Sequence, residues 1–213
     1  MFTHGGFWGV RIVTTVGGSR LGLTGRELGR RQELGMQERW YAIRVKSNRE
    51  SVVATSLEGK GFQQFLPTYV ARRQWSDRVM ETKVPLFKGY VFCFFDVTEK
   101  LPVLTIPGVI DLVGVGKAPK AVENSEIEAL QIIARNGLPA APWPFLRAGQ
   151  RVRIERGPLK DVEGILIEVK NRFRLVVSVS LLQRSVAVEV DRESVTPLRQ
   201  DRSLSVAVRE SAR

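Results

Sequence analysis

Apolar and polar residues alternate from Trp40 to Lys46 (WYAIRVK), setting Tyr41, Ile43 and Val45 against Arg44 and Lys46, which predicts a half-buried strand. Ser47-Asn48-Arg49-Glu50 follows with the spacing of a capping box, so a helix is expected next, with Val53 and Leu57 one turn apart on its inner face. Gly59 and Gly61 stop it. Phe62 to Arg73 (FQQFLPTYVARR) reads as a second strand, kinked or bulged at Pro67, and Trp75 to Met80 as a polar turn. The run Lys83 to Phe95 (KVPLFKGYVFCFF) is nearly unbroken apolar sequence, interrupted by Lys88 and Gly89. At that length it reads as one strand buried on both faces, with Tyr90, Phe92 and Phe94 on one side and Val91, Cys93 and Phe95 on the other. One face covers a core. The pattern does not say what covers the second.

Further along, Thr98 to Thr105 fits a short helix interrupted at Pro102, and Val109 to Val115 (VIDLVGV) another strand. Asn124-Ser125 is placed to cap a helix whose Ile127, Leu130 and Ile133 form one apolar stripe ending near Gly137. The order β-α-β-β-α-β-α over residues 39–137 predicts an α+β unit with a mainly antiparallel sheet and flanking helices. Residues 138–147 hold three prolines within LPAAPWPFL and no helical period, and are expected to be a semi-extended linker. Residues 148–198 change texture to short alternating strands at Gln150–Glu155, Glu163–Lys170, Arg174–Ser180 and Ser185–Val190. Leu175, Val177 and Val179 share one face, as do Val186, Val188 and Val190, which predicts a small β-barrel. Residues 199–213 read as a frayed polar tail, and the Gly-punctuated residues 1–38 as a disordered extension. Met36, just ahead of the first strong strand, is a candidate start of translation.

Composition narrows the chemistry. At 43% hydrophobic residues over 213 positions the chain can bury one large or two small cores, and no window approaches the ~18 apolar residues of a spanning helix. The single cysteine, Cys93, lies in the buried-strand pattern and fits a reducing cytoplasm. The single histidine, His4, lies in the amino-terminal extension, so no Cys/His zinc site and no Ser-His or Cys-His catalytic pair is available in the folded body. Carboxylates form no recognisable acid–base pair, and no glycine-rich stretch leads into Lys-Ser or Lys-Thr. Neither an enzyme nor a cofactor is read from the residues. A net charge of +11, spread over the whole chain, favours a polyanionic partner and equally fits a well-solvated basic surface.

The second body carries a more specific signal. VRIERGPLKDVEGILIEV sets Gly157-Pro158 at a turn and Gly164 where a strand must bend or meet another backbone, and it resembles the KOW motif. RLVVSVSLLQRSVAVEV continues in the manner of KOW domains of the NusG family, and WYAIRVK, PLFKGYVF and IPGVIDLVG are similar, in order, to the NusG amino-terminal domain. The likeness spans roughly residues 39–198. The shorter first domain and the LLQRSVAVEV ending look more like the specialised RfaH and UpxY-type paralogues. The resemblance implies an SH3-like barrel for the second domain. It implies a bacterial transcription elongation or antitermination factor, monomeric and cytoplasmic, whose first domain binds the RNA polymerase clamp. Its KOW domain would recruit either a ribosomal protein of the small subunit or Rho. A ribosome-associated, RNA-binding KOW protein is the alternative, against which WYAIRVK and PLFKGYVF speak.

Carried onto this chain, the resemblance makes Tyr90 and Phe92 the polymerase contact, with Tyr41 and Phe87 as neighbouring candidates and Thr98, Glu99 and Lys100 at a second contact. Read without it, strand aromatics are ordinarily core. Lys46, Asn48 and Arg49, at the strand–helix junction, would meet the non-template DNA strand, and Arg72 and Arg73 could track nucleic acid; a solvated cap and a solvated hairpin are the plain readings. In the barrel, Leu159 is expected to be exposed after Gly157-Pro158 and, with Leu182 and Arg184, to form the partner-binding loops. Strand-period patterning over Leu175–Val179 and Val186–Val190 argues for a constitutive barrel rather than the stored helical hairpin of RfaH.

Overall fold

The computed structural model describes residues 12–15, 37–75, 78–116, 118–137, 140–143, 145, 149–169 and 172–198. The expectations for the remainder of the first 38 residues and for the tail after Leu198 fall outside these residues. Ile12–Thr15 forms a strand, β1, where a disordered extension was expected. Then come β2 (Glu38–Val45), helix α1 (Glu50–Gly59), β3 (Gln63–Trp75), β4 (Arg78–Pro85) and β5 (Tyr90–Asp96). Helix α2 (Leu101–Leu104), strand β6 (Val109–Leu112), the small hairpin β7 (Gly114–Val115) and β8 (Ala118–Pro119), and helix α3 (Asn124–Arg135) complete the first unit. Its sheet runs β1-β3-β5-β2-β6, with β4 paired to β3, and every pairing is antiparallel.

The run expected as one strand is two. Pro85 lacks an N–H to continue a ladder, and Phe87 to Tyr90 closes a turn through Tyr90 N–H to Phe87 O (3.1 Å), with Gly89 at φ +84°. A positive φ at the third of four positions is the type II requirement, and glycine meets it without strain. Strands β4 and β5 run in the same direction along β3, interrupted by this turn, and Trp75 pairs with Arg78, so much of the stretch expected as a polar turn at Trp75–Met80 lies in the β3–β4 hairpin strands. Pro67 marks a change of partner rather than a simple kink: Gln63–Phe65 pair with β5, and Thr68–Trp75 pair with β4.

The alternation in β5 divides the core as expected. Val91, Cys93 and Phe95 pack with Tyr41, Ile43, Val53, Leu57, Val103 and Ile106 beneath α1 and α2. Phe92 lies on the other face with Trp40, Phe65, Phe87 and the α3 stripe Ile127, Leu130 and Ile133. Two capping expectations are not met. Helix α1 starts at Glu50 and has Arg49 as its N-cap without a side-chain hydrogen bond, so Ser47 lies too early to close a capping box. Helix α3 starts at Asn124, with Glu123 as its uncapped N-cap.

The second unit is an antiparallel sheet ordered β14-β10-β11-β12-β13-β9. It comprises β9 (Ala140–Trp143), β10 (Gln150–Ile154), β11 (Glu163–Val169), β12 (Arg172–Val179), β13 (Arg184–Glu189) and β14 (Val195–Pro197). Leu175, Val177, Val179, Val186 and Val188 are buried together with Val152 and Ile154 in its interior. The described part of the proline-rich segment is strand β9 rather than a free linker: Ala140 is fully buried and Pro142 sits opposite Val186. An edge strand pairs on one side only, which is where proline is tolerated within a sheet. Among the described residues of 150–197 the secondary structure is strands, with helical geometry confined to short 3-10 turns at Ser180–Leu182 and Arg192–Ser194.

Gly164 meets the backbone as its position implies: a Cβ there would fall 2.5 Å from the Val176 carbonyl oxygen. Because that neighbour is main chain across the β11–β12 pairing, it cannot rotate away. Gly164→Ala is expected to destabilise the protein by about 1–3 kcal/mol, as overpacking does. Thermal unfolding followed by circular dichroism checks it, and an unchanged midpoint contradicts this geometry.

Candidate functional site

Strand β5 brings the aromatic candidates to one place with one exception. The Phe92 ring meets Phe87 edge-on (5.6 Å, 85°) and lies 6.0 Å from Phe65, and Phe92 is fully buried. Phe87 is also buried, at 1% exposure. Tyr90, at the open end of β5, is half-buried. Tyr41 lies on the opposite face, its ring 5.1 Å from Phe95, and burial there raises its phenol pKa. Thr98, Glu99 and Lys100 follow the other end of β5; Thr98 donates from N and Oγ1 to Asp96 Oδ1 (2.8 and 2.6 Å). At about 3.3 Å per residue, the seven residues of β5 separate this turn from Tyr90 by roughly 20 Å.

What covers the Tyr90 face is the second unit. The Arg184 guanidinium sits 5.3 Å from the centre of the Tyr90 ring, within cation–π range. Leu159 and Leu182 belong to the same buried cluster as Phe92 and α3. Leu159 is 3% exposed, which corrects the expectation of an exposed leucine: the turn folds inward because Val162 N–H bonds Leu159 O and Asp161 N–H bonds Ile154 O. Helix α3 bridges the units. Ser180 N–H donates to Glu126 Oε1 (3.0 Å), and Asn136 Nδ2 donates to both Ile132 O and Pro158 O (2.8 Å each). A groove of about 930 Å³ remains between α3 and the barrel, lined among others by Glu126, Ala129, Ile132, Arg151, Gly164 and Val176. The polymerase-side and partner-side candidates thus meet each other within one molecule.

The carboxyl end of β2, where Arg44 pairs with Tyr90, gathers cations. Lys46, Asn48 and Arg49 are exposed, and Asn48 takes φ +61° in the tight turn into α1. Val45 N–H bonds Gly89 O (2.9 Å) and Lys46 N–H bonds Gly108 O (2.8 Å), so two glycine turns are tied to this junction. Glu50, 5% exposed, uses its carboxylate to accept from Gly89 N–H (2.8 Å). Lys88, exposed at the corner of the Phe87–Tyr90 turn, lies beside this cluster, and sequence reading did not select it. Its signal was a charge inside an otherwise apolar run. Arg44 is already committed, in a two-pronged ion pair with Asp111 that raises its pKa. Arg72 and Arg73 lie in β3 opposite Glu81 and Met80, and their side chains lie outside the described residues.

A family profile described as "Transcription termination factor nusG" matches residues 38–131. Beyond that unit, the transcription termination/antitermination protein NusG of Thermus thermophilus is 30% identical over 183 residues, covering 75% of this chain and 98% of the relative. The chain belongs to the NusG family. NusG of Escherichia coli is likewise 30% identical over 176 residues, covering 96% of its length, and that of Buchnera aphidicola 27% over 183. Among solved structures, "Domain interaction in Thermotoga maritima NusG" aligns over 76% of this chain and 98% of its own, with TM-score 0.47 and 21% identity.

Among the described residues no group of His, Cys, Asp and Glu is placed to hold a metal, and no helix is long and apolar enough to cross a membrane. Cys93 is fully buried and burial drives its thiol pKa upward, which keeps it protonated core. The basic end depends on Glu50. Glu50→Ala strips the acceptor from Gly89 N–H, and the expected loss is about 1–3 kcal/mol, whereas Glu50→Gln keeps an acceptor and most of the stability. Urea unfolding of both variants tests this; equal losses would show that the hydrogen bond contributes nothing.

Proposed function

We propose that this NusG-family protein works in the cytoplasm as an elongation and antitermination factor with two docking faces. The Tyr90 end of β5 meets the RNA polymerase clamp, Lys46, Asn48 and Arg49 meet the exposed non-template strand, and the barrel meets a ribosomal small-subunit protein or Rho. The observation that carries the reading is identity extending over nearly the full length of NusG relatives, through both folded units in the same order. A KOW barrel alone would not require the first unit.

Geometry adds a condition to this reading. Of the four aromatic candidates Tyr90 alone is partly exposed, and Arg184 lies over it. Phe87 and Phe92 shape the floor under Tyr90 from within the core. Polymerase therefore gains the Tyr90 face when the barrel gives up its Arg184 contact, and the same movement uncovers the loops holding Leu159 and Leu182. Binding on one side then favours binding on the other, because both use one opening.

Tyr90→Ala is expected to weaken binding to core RNA polymerase about tenfold or more, the scale of losing an interfacial aromatic anchor. Arg184→Ala should leave the polymerase face intact and tighten binding, by removing a competitor for Tyr90. Surface-immobilised polymerase titrated with each variant measures both. A folded Tyr90→Ala protein that binds as tightly as the parent refutes the assignment.

A further inference from the structure

Three loops are knitted together at the carboxyl end of β2: Lys46-Ser47-Asn48-Arg49, Leu86-Phe87-Lys88-Gly89 and Ile106-Pro107-Gly108-Val109. The ties are backbone bonds from Val45 to Gly89 and from Lys46 to Gly108, and Gly108 lies so close to the Arg49 side chain that an added Cβ would be 3.3 Å from Arg49 Cβ. Together these segments carry three cations, Lys46, Arg49 and Lys88, all exposed, and no carboxylate. Two acids flank them, and both are engaged. Glu50 is buried and turned toward Gly89 N–H, and Asp111 is paired with Arg44. No ion pair holds Lys46, Arg49 or Lys88 among the described residues, in contrast to Arg151 and Arg153 on Glu163 and Arg172 on Glu189.

We infer that Lys88 is a nucleic-acid contact and that the Phe87–Tyr90 turn forms a third wall of the site at Lys46, Asn48 and Arg49. The inference rests on the reading of that site as a single-strand contact. Position favours it: Lys88 is the second residue of a turn whose third residue, Gly89, is fixed by hydrogen bonds to both Val45 and Glu50. A cation held on such a corner loses little main-chain freedom when it meets a phosphate. Nucleic acid fits better than an acidic protein surface. The three loops present separate point charges, and their large apolar side chains, Leu86, Phe87 and Ile106, are buried. A protein interface draws its affinity from a desolvated apolar anchor, whereas a polyanion needs only cations that release its counterions.

The test uses the full chain and a fluorescein-labelled mixed-sequence single-stranded DNA, titrated across a salt series by anisotropy. Four variants are compared: Lys88→Gln, Lys88→Glu, Lys46→Gln and, as a charge-matched control, Lys160→Gln on the exposed turn of the barrel. Each phosphate contact contributes about 0.7 to the slope of log affinity against log salt for a single strand. Lys88→Gln and Lys46→Gln are each expected to flatten the slope by about that amount and weaken low-salt binding several-fold, with Lys88→Glu weaker still. Lys160→Gln should match the parent. Circular dichroism establishes that each variant is folded. If Lys88→Gln behaves like Lys160→Gln while Lys46→Gln weakens binding, Lys88 lies outside a site that otherwise stands. If neither Lys46→Gln nor Lys88→Gln weakens binding, the underlying site reading fails and takes the inference with it. Loss of core polymerase binding by Lys88→Glu, with DNA binding unchanged, would assign Lys88 to a protein contact and overturn the proposal.

Discussion

Strand β5 has large side chains on both faces, and both must be kept from water. Phe65, Phe87 and Phe92 are each buried to 1% exposure or less on one side. At about 1.5–3 kcal/mol for burying such a side chain, leaving that side open would cost more than most single contacts can restore. Val91, Cys93 and Phe95 make the same demand on the other side and are met there by α1 and α2. On the Phe92 side the first unit supplies α3, a 12-residue helix about 18 Å long and 10 Å wide. That cover is incomplete over a sheet of this breadth. Leu159 and Leu182 of the barrel join the same cluster, and the two units are held by the apolar surface neither can close alone.

Polar links across that contact are individually weak. The Arg184–Tyr90 stack, on an exposed arginine and a half-buried tyrosine, is of the order of 0.5–1 kcal/mol. The Glu126–Ser180 and Asn136–Pro158 hydrogen bonds add about 0.5–1.5 kcal/mol each. A partner that buries an aromatic anchor worth 2 kcal/mol or more, about the threshold of an interface hot spot, can displace any one of them. Competition is therefore decided by how much of the apolar cover the partner replaces. An external protein face that substitutes for Leu159 and Leu182 over Tyr90 restores burial on the sheet side. It leaves the barrel loops holding Leu159 and Leu182 without that cover.

Alternation along the chain carried a large part of this. It placed Phe92 and Cys93 on opposite faces, separated the α3 stripe, and located the barrel strands to within a few residues. It failed where a residue's role depends on something distant in sequence. Glu50 looked like half of a capping box, but Gly89, 39 residues away, offers it a buried N–H, and the local motif loses to the tertiary one. Pro142 signalled a linker because proline interrupts ladders, yet an edge strand has a side on which no ladder bond is missed. Leu159 looked exposed because a turn after Gly-Pro ordinarily is; α3 and the sheet behind it are not visible from residues 157–160. Periodicity reports which face a residue takes and says nothing of what lies against that face.

Glu50 also explains why the β2 end is so uniformly basic. Its carboxylate is the nearest acid to Lys46 and Arg49 in sequence, and on an exposed helix start it would neutralise part of their charge. Drawn inward to Gly89 N–H, it is 5% exposed, and its oxygens are shielded from solvent by the turn it supports. Asp111, the other acid at this end, stays exposed but is paired with the Arg44 guanidinium, which offsets its charge. The Glu50–Gly89 hydrogen bond, one of the ties that hold the three loops in register, thus also draws a carboxylate away from their outer surface. A carboxylate satisfied by the backbone stabilises the turn carrying Lys88 and clears the approach to it, so fold and electrostatic surface here have one cause.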